Sequence, residues 1–342
     1  MDINKRKLEK LRSNSFAIAI DAHTAGEPIR VIFAGYSGKL EEKGSMVDRQ
    51  KWIKKHDDEF RTRTMQEPRG HAAMFGAIVM EPVSSEADVG VLFPYPAGYA
   101  DMCGHGAIGV ANVLVELGLV EATEGKNRIT LDTPAGLVQT IAHLRNGSVR
   151  EVDLLGTPSY FVDTVAIDLN SKGRVHVALS YGGNFFGIVK VEELDLPLKS
   201  EYLDELNELA HEIMHSINCR NDIRLKHPTT GELSLERIRF VEGEKSEKNV
   251  VIHEGAVIDR SPCGTGTCSQ IAWEYYNGKT GIDDSKVYRS IIDTEFRGEA
   301  IEEKEFKGKQ AIIPKVTGSS YITGLNYFLV SNNDPLVDGF TI

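Results

Sequence analysis

The chain gives the same order of structural signals twice. FAIAIDAHTAGEPIRVIFAG (16–35) and RVHVALSYGGNFFGIVKVEEL (174–194) each read as strand, glycine-containing loop, strand. Each is followed by a charged helical stretch, MVDRQKWIKKHDDEFRTRT (46–64) or EYLDELNELAHEIMHSI (201–217). Short strand signals come next, GAIVME and VGVLF in one half, LERIRFVEG and KNVVIHEG in the other. Each half then reaches a cysteine loop that opens a helix, DMCGHGAIGVA (101–111) and DRSPCGTGTCSQIA (259–272). Strands follow again, in ITLDTPAGLVQTIAHL and QAIIPKVTGSSYITGLNYFLV. The halves share order more than identity, as a divergent internal duplication does. This predicts a strand-rich α/β (α+β) chain of two pseudo-symmetric lobes. The boundaries expected are 16–165 for the first lobe, completed by C-terminal strands at 322–342, and 166–321 for the second. In the first cysteine-loop helix, Ile108, Val110, Leu114 and Leu117 are spaced for one buried face.

Composition narrows the partners. A net charge of −11 over 342 residues argues against nucleic acid and against a polybasic membrane contact. No apolar run approaches the roughly 20 residues needed to span a bilayer. MDINKRKLEKLRSN has basic residues with no apolar stretch behind them, so 1–15 reads as a charged arm and not a secretory signal. The four cysteines, Cys103, Cys219, Cys263 and Cys268, form no CxxC, and a chain of this size needs no disulfide staples. A reduced, cytoplasmic protein is expected.

A cysteine is most simply a small buried hydrophobe, the reading given to Cys219. Cys103 and Cys263 stand apart because Gly-x-Gly follows each, letting another molecule approach the backbone. Each also sits at a predicted helix N-terminus, where free N–H groups and the helix dipole favour an anion. On that ground each thiol is expected to ionise closer to neutrality than the ordinary value of about 8.5. Inversion of a carbon centre by proton transfer needs a base on one face and an acid on the other. Two such thiols, one per half and facing each other across a cleft between lobes, would supply both. The same N–H groups would hold a carboxylate and stabilise the charge that builds on it as the α-proton leaves.

Other readings compete. GHGAIG (104–109) matches G-x-G-x-x-G, but a proline- and glycine-containing loop precedes it where a dinucleotide fold needs a strand. CGTGTC lacks the spacing of a zinc site. A redox disulfide between Cys263 and Cys268 competes with Cys268 packing inward from the helix, which is favoured. A non-catalytic small-molecule binding protein is the alternative of a different class, and it would leave two activated thiols without a role.

DRSPCGTGT and MCGHG, with DAHTAGEP, EPRGH and LDTPAG, resemble the proline racemase family, which includes proline racemases, 4-hydroxyproline 2-epimerases and trans-3-hydroxyproline dehydratases. The resemblance runs from about Ile20 to about Gly324. It implies the duplicated fold of the diaminopimelate epimerase type, with a barrel-like sheet around a central helix in each lobe and the active site between them. It also implies a homodimer, a cyclic imino acid substrate, and catalysis without cofactor or metal. By the same resemblance Cys103 and Cys263 are the acid/base pair. Gly104, His105, Gly264 and Thr265 hold the substrate carboxylate, and Asp259 accepts from the ring ammonium, a role His105 could share. Phe75 lines the pocket, while His23, Glu27, Arg69 and His71 are scaffold or pocket wall. Dehydratase members usually replace the second cysteine with threonine, so Cys263 favours inversion. His253, six residues before Asp259, stands where proline racemases carry an aromatic residue. A histidine there suits a ring hydroxyl, which favours a 4-hydroxyproline 2-epimerase over a proline racemase or a trans-3-hydroxy-L-proline dehydratase.

Overall fold

The structure is a computed structural model describing residues 16–341, except 41, 43, 224, 228–230, 244–246, 256 and 332. The charged arm expected at 1–15 lies outside the described residues. The first half runs β1 (Ala17–Thr24), β2 (Glu27–Ala34), α1 (Met46–His56), α2 (Asp58–Met65), β3 (Gly76–Met80), β4 (Val89–Tyr95) and β5 (Gly98–Ala100). It continues with α3 (Gly104–Glu116), β6 (Gly125–Thr133), β7 (Gly136–Arg145) and β8 (Ser148–Leu155). The second runs β9 (Tyr160–Leu169), β10 (Gly173–Tyr181), β11 (Phe185–Lys190), α4 (Leu203–Asn218), β12 (Leu225–His227), β13 (Gly231–Leu233), β14 (Arg237–Glu242), β15 (Lys248–His253) and β16 (Ile258–Asp259). It ends with α5 (Gly264–Tyr276), β17 (Lys286–Arg289), β18 (Glu295–Phe306), β19 (Lys309–Gly318) and β20 (Ser320–Phe328). No described helix is long and apolar enough to cross a membrane.

Contacts divide the described chain into two units. One holds residues up to 24, 28–152 and 320 onward; the other holds 25–27 and 153–319. In the first, β20 pairs antiparallel with β1, and β2 runs parallel to β3. β3 is antiparallel to β4, β4 parallel to β6, and β6 antiparallel to β7. The second repeats this pattern: β9 antiparallel to β10, β10 to β11, β11 parallel to β14, and β14 antiparallel to β15. β15 then runs parallel to β17, and β17 antiparallel to β18. The repetition of order seen in the sequence is therefore a repetition of strand topology.

Each unit surrounds one buried helix. α3 packs on β1, β3, β7 and β20, and every residue from Gly104 to Val115 is buried. α5 packs on β9, β10, β11, β18 and β19, and is buried from Gly264 to Glu274. The single buried face expected for α3 is corrected here. A helix covered by strands on several sides buries its whole circumference, whereas Leu117, just past its end, is exposed. The outer helices are amphipathic, as their sequences require. α4 turns Leu206, Leu209, Ala210, Ile213, Met214 and Ile217 inward against Val177, Phe240 and Val250. The charged stretch of the first half is two helices, separated at Asp57. Ser45 caps α1 by accepting from Asp48 N at 3.1 Å, and Ile53, Phe60 and Met65 reach the core beside Ile78 and Leu92.

Candidate active site

In the first unit, Cys103 is the N-cap of α3 and buried. Its Sγ lies 3.4 Å from His105 Nδ1, in the first turn of the same helix. His105 is buried too; Thr24 Oγ1 donates to its carbonyl at 2.9 Å, and its ring stands edge-on to Phe75 with centroids 5.0 Å apart. Phe75 is half-buried and stacks on Tyr95 at 5.8 Å. Gly104, His105, Phe75 and Cys103 are thus gathered around one helix entrance. Gly106 keeps this entrance open: an added Cβ would lie 3.0 Å from Cys103 Sγ and 3.0 Å from the Phe93 ring, tighter than ordinary contact.

The DAHTAGEP and EPRGH motifs brace this unit. Asp21 takes a bidentate pair from Arg30 at 2.8 Å on both arms. Arg30 Nη1 also donates to the carbonyls of Thr64 and Arg69 at 2.6 Å each. Arg69 donates from Nε to Arg63 O at 2.7 Å, and from Nη2 to Val337 O. His23 packs on the ring of Tyr321 at 5.5 Å, and His71 is exposed.

In the second unit a relay of hydrogen bonds builds the loop before α5. Asp259 Oδ1 accepts from Ser261 N at 2.8 Å and from Ser261 Oγ at 2.7 Å. Ser261 Oγ in turn accepts from Cys263 N at 3.1 Å. Cys263 Sγ accepts from Gly266 N at 3.4 Å and lies 3.9 Å from Thr265 Oγ1. Its φ of 63° is left-handed, a conformation a non-glycine residue keeps only when its surroundings impose it. Asp259, Cys263, Gly264 and Thr265 are all buried. His253 closes β15, half-buried, opposite Arg237. Val251 pairs with Asp259, so the strand's alternation puts His253 on the same face as Asp259.

The electrostatics correct one expectation. Cys263 titrates well above an ordinary thiol, because burial and then the Asp259 charge oppose the thiolate. Arg239 and the Gly266 N–H pull the other way and do not compensate. The helix N-terminus is present, but burial and the Asp259 charge outweigh it. Cys268 is buried in α5 and pushed up to about 12, mainly by burial. All four cysteines are free thiols, and Cys219 is exposed at the end of α4, not buried as expected.

Of two groups beside the second loop, Glu27 was expected only as scaffold or pocket wall, and Arg239 was not singled out by the sequence. Glu27, the last motif residue before Pro28, is buried and accepts from Arg260 N at 2.8 Å. Burial and Asp259 raise its pKa to about 8. Arg239 is fully buried and donates to Gln270 Oε1 at 2.6 Å and to Pro262 O at 2.7 Å. Its signal in the sequence was a cation between Ile238 and Phe240 in a strand otherwise built for the interior.

Comparison with known proteins agrees with this architecture. The family model described as proline racemase matches residues 19–341. A proline racemase of Acetoanaerobium sticklandii is 39% identical over 336 residues, 95% of this chain and 98% of that one. A 4-hydroxyproline 2-epimerase of Streptosporangium roseum is 36% identical over 341 residues, 97% of this chain and 100% of that one. A crystal structure of a hydroxyproline epimerase from Agrobacterium vitis, with bound trans-4-hydroxy-L-proline, superposes with a TM-score of 0.86. It is 27% identical and covers 95% of both chains. With its family model matched almost end to end and its fold shared, the chain belongs to the proline racemase family.

Proposed function

We propose that this isomerase inverts the α-carbon of a cyclic imino acid by proton transfer between Cys103 and Cys263, with 4-hydroxyproline as its preferred substrate. The observation that carries the reading is the repeated helix entrance: a buried thiol at the start of a buried helix in each unit, one of them with a buried carboxylate four residues before it. As a thiolate, one cysteine removes the α-proton. The electron pair left on carbon delocalises into the substrate carboxylate, and the second cysteine, as a thiol, returns a proton to the opposite face. The backbone N–H groups of Gly104, His105, Gly264 and Thr265 hold the carboxylate and meet the charge that develops on it. Asp259 accepts from the ring ammonium as a charge-assisted pair.

His253 on the face of Asp259 supports the hydroxylated ring, because a buried polar group facing a hydroxyl discriminates against the analogue lacking it. Phe75 beside His105 supplies an apolar wall to the ring. No group in this mechanism comes from a cofactor or metal. A homodimer in the reducing cytoplasm belongs to the same reading, and the four thiols, none in a disulfide, suit that compartment.

Proton NMR in D2O tests it, with trans-4-hydroxy-L-proline, L-proline and trans-3-hydroxy-L-proline offered separately. The expected result is fastest α-deuterium incorporation, with inversion, for trans-4-hydroxy-L-proline. Faster turnover of L-proline would make the protein a proline racemase, water loss from the 3-hydroxy compound a dehydratase. Exchange with none of them would sink the reading.

A further inference from the structure

The two helix entrances differ in what lies behind the thiol. Behind Cys103, Gly106 faces the Phe93 ring, and α3 continues with buried Ala107, Val110 and Leu114. Behind Cys263, a Cβ at Gly266 would lie 2.9 Å from Arg239 Nη1 and 3.1 Å from Cys263 Sγ. The guanidinium therefore sits against the first turn of α5, close behind the sulfur. At the positions of α5 that correspond to the three apolar residues of α3 stand Thr267, Gln270 and Glu274, all buried. They are joined to the cation. Arg239 Nε donates to Gln270 Oε1 at 2.6 Å, and Gln270 Nε2 donates to Glu274 Oε1 at 2.9 Å. Glu274 Oε2 accepts from Lys286 Nζ at 2.8 Å and from Tyr288 Oη at 3.1 Å. Arg239 Nη1 holds Pro262 O, the carbonyl just before the catalytic turn, at 2.7 Å.

We propose that Arg239 is a positioning residue for this reaction: it fixes the Pro262–Cys263 turn and supplies a buried countercharge on which Cys263 acts as base. The inference rests on the proposed role of Cys263. Burying a guanidinium is costly unless it is paired and hydrogen-bonded, and an apolar helix such as α3 shows that the fold does not require one there. The charged and titratable groups around it are Asp259 on β16, Cys263 at the head of α5, Cys268 and Glu274 on α5 and Tyr288 on β17. Glu274 is already matched by Lys286, which leaves Asp259 as the anion opposing a thiolate at Cys263. A substrate ammonium on Asp259 would cancel that charge while Arg239 remains. The empty site then keeps Cys263 a thiol, and the occupied site lets it ionise.

The test uses the full chain carrying Cys103→Ser, in which only Cys263 can remove an α-proton, and measures deuterium washout from each hand of 4-hydroxyproline with and without Arg239→Met. The expected result is a loss of about tenfold at pH 7 through Cys263, with the acid limb of its pH profile moved up by about one unit. Arg239→Lys, which keeps the charge, should recover part of the rate. In the Cys263→Ser background, washout through Cys103 should change by less than about threefold. An unchanged profile in Arg239→Met overturns the proposal, as does an equal loss through both cysteines. If Arg239→Met does not fold, Gln270→Met leaves the cation and removes its Nε acceptor; a rate through Cys263 unaltered by that change also overturns it. Absence of washout in the otherwise unmodified enzyme would instead remove the function proposed above.

Discussion

The carboxylate of Glu27 accepts the backbone N–H of Arg260 at 2.8 Å, tying the DAHTAGEP turn to the loop that carries Asp259 and Cys263. Burial raises this carboxyl from 4.5 to about 8, so between those values the folded protein holds a proton that the unfolded chain has released. Stability should therefore fall as pH rises from about 4.5 to about 8 and level off above. Glu27→Gln removes this slope. Its Tm relative to the parent should rise across the window by several degrees, the full shift corresponding to about 5 kcal/mol. Parallel Tm curves at pH 5, 6.5 and 8.5 would contradict the assignment.

Cys103→Ser and Cys263→Ser should each lower epimerisation by about 1000-fold or more, because one thiol cannot serve both faces of the carbon. Each single variant should still exchange the α-proton of one substrate hand. Full activity in either variant would remove the two-base mechanism.

Ser261→Ala removes an acceptor from Cys263 N and a donor to Asp259. Unfolding in urea should show a loss of about 1–2 kcal/mol, since two buried groups lose a partner. KM should rise as Asp259 loses its orientation. Unaltered stability and KM would mean that the Asp259–Ser261–Cys263 relay is incidental.

The ordering of thiol reactivity should follow exposure. In the empty enzyme iodoacetamide should label Cys219 first and leave activity intact, because Cys263 is buried and its thiolate disfavoured. Peptide mapping against residual activity measures this. Labelling of Cys263 ahead of Cys219 would show that the buried thiol is ionised without substrate.

His253→Phe should shift the ratio of kcat/KM for 4-hydroxyproline over proline by about tenfold toward proline. A ratio unmoved by the substitution would place the imidazole away from the ring hydroxyl.

The duplicated strand order, the hairpins β1–β2 and β10–β11, and the starts of α3 and α5 were legible because each is written in a contiguous stretch. Alternation marks a strand, and Gly-x-Gly marks a helix entrance. The roles of Arg239 and Glu27 were not, since they depend on pairings between residues 23 or more positions apart. Local sequence also misjudged the Cys263 thiol. The helix entrance is visible in GTGT, but the depth of burial and the nearness of Asp259 arise only when the loop closes. Leu117 failed for a related reason: the spacing marks it as apolar-face, but the helix has ended by that point and the chain turns outward.

The left-handed backbone at Cys263 bears on how this position can drift over evolutionary time. Glycine would sit there with the least conformational cost, but it carries no proton that can be exchanged. A cysteine there carries a Cβ and with it the cost of a positive φ, about 1–3 kcal/mol. A Cys263→Gly change would therefore ease the turn and remove the thiol. The thiol at this position is thus held against the preference of its own backbone.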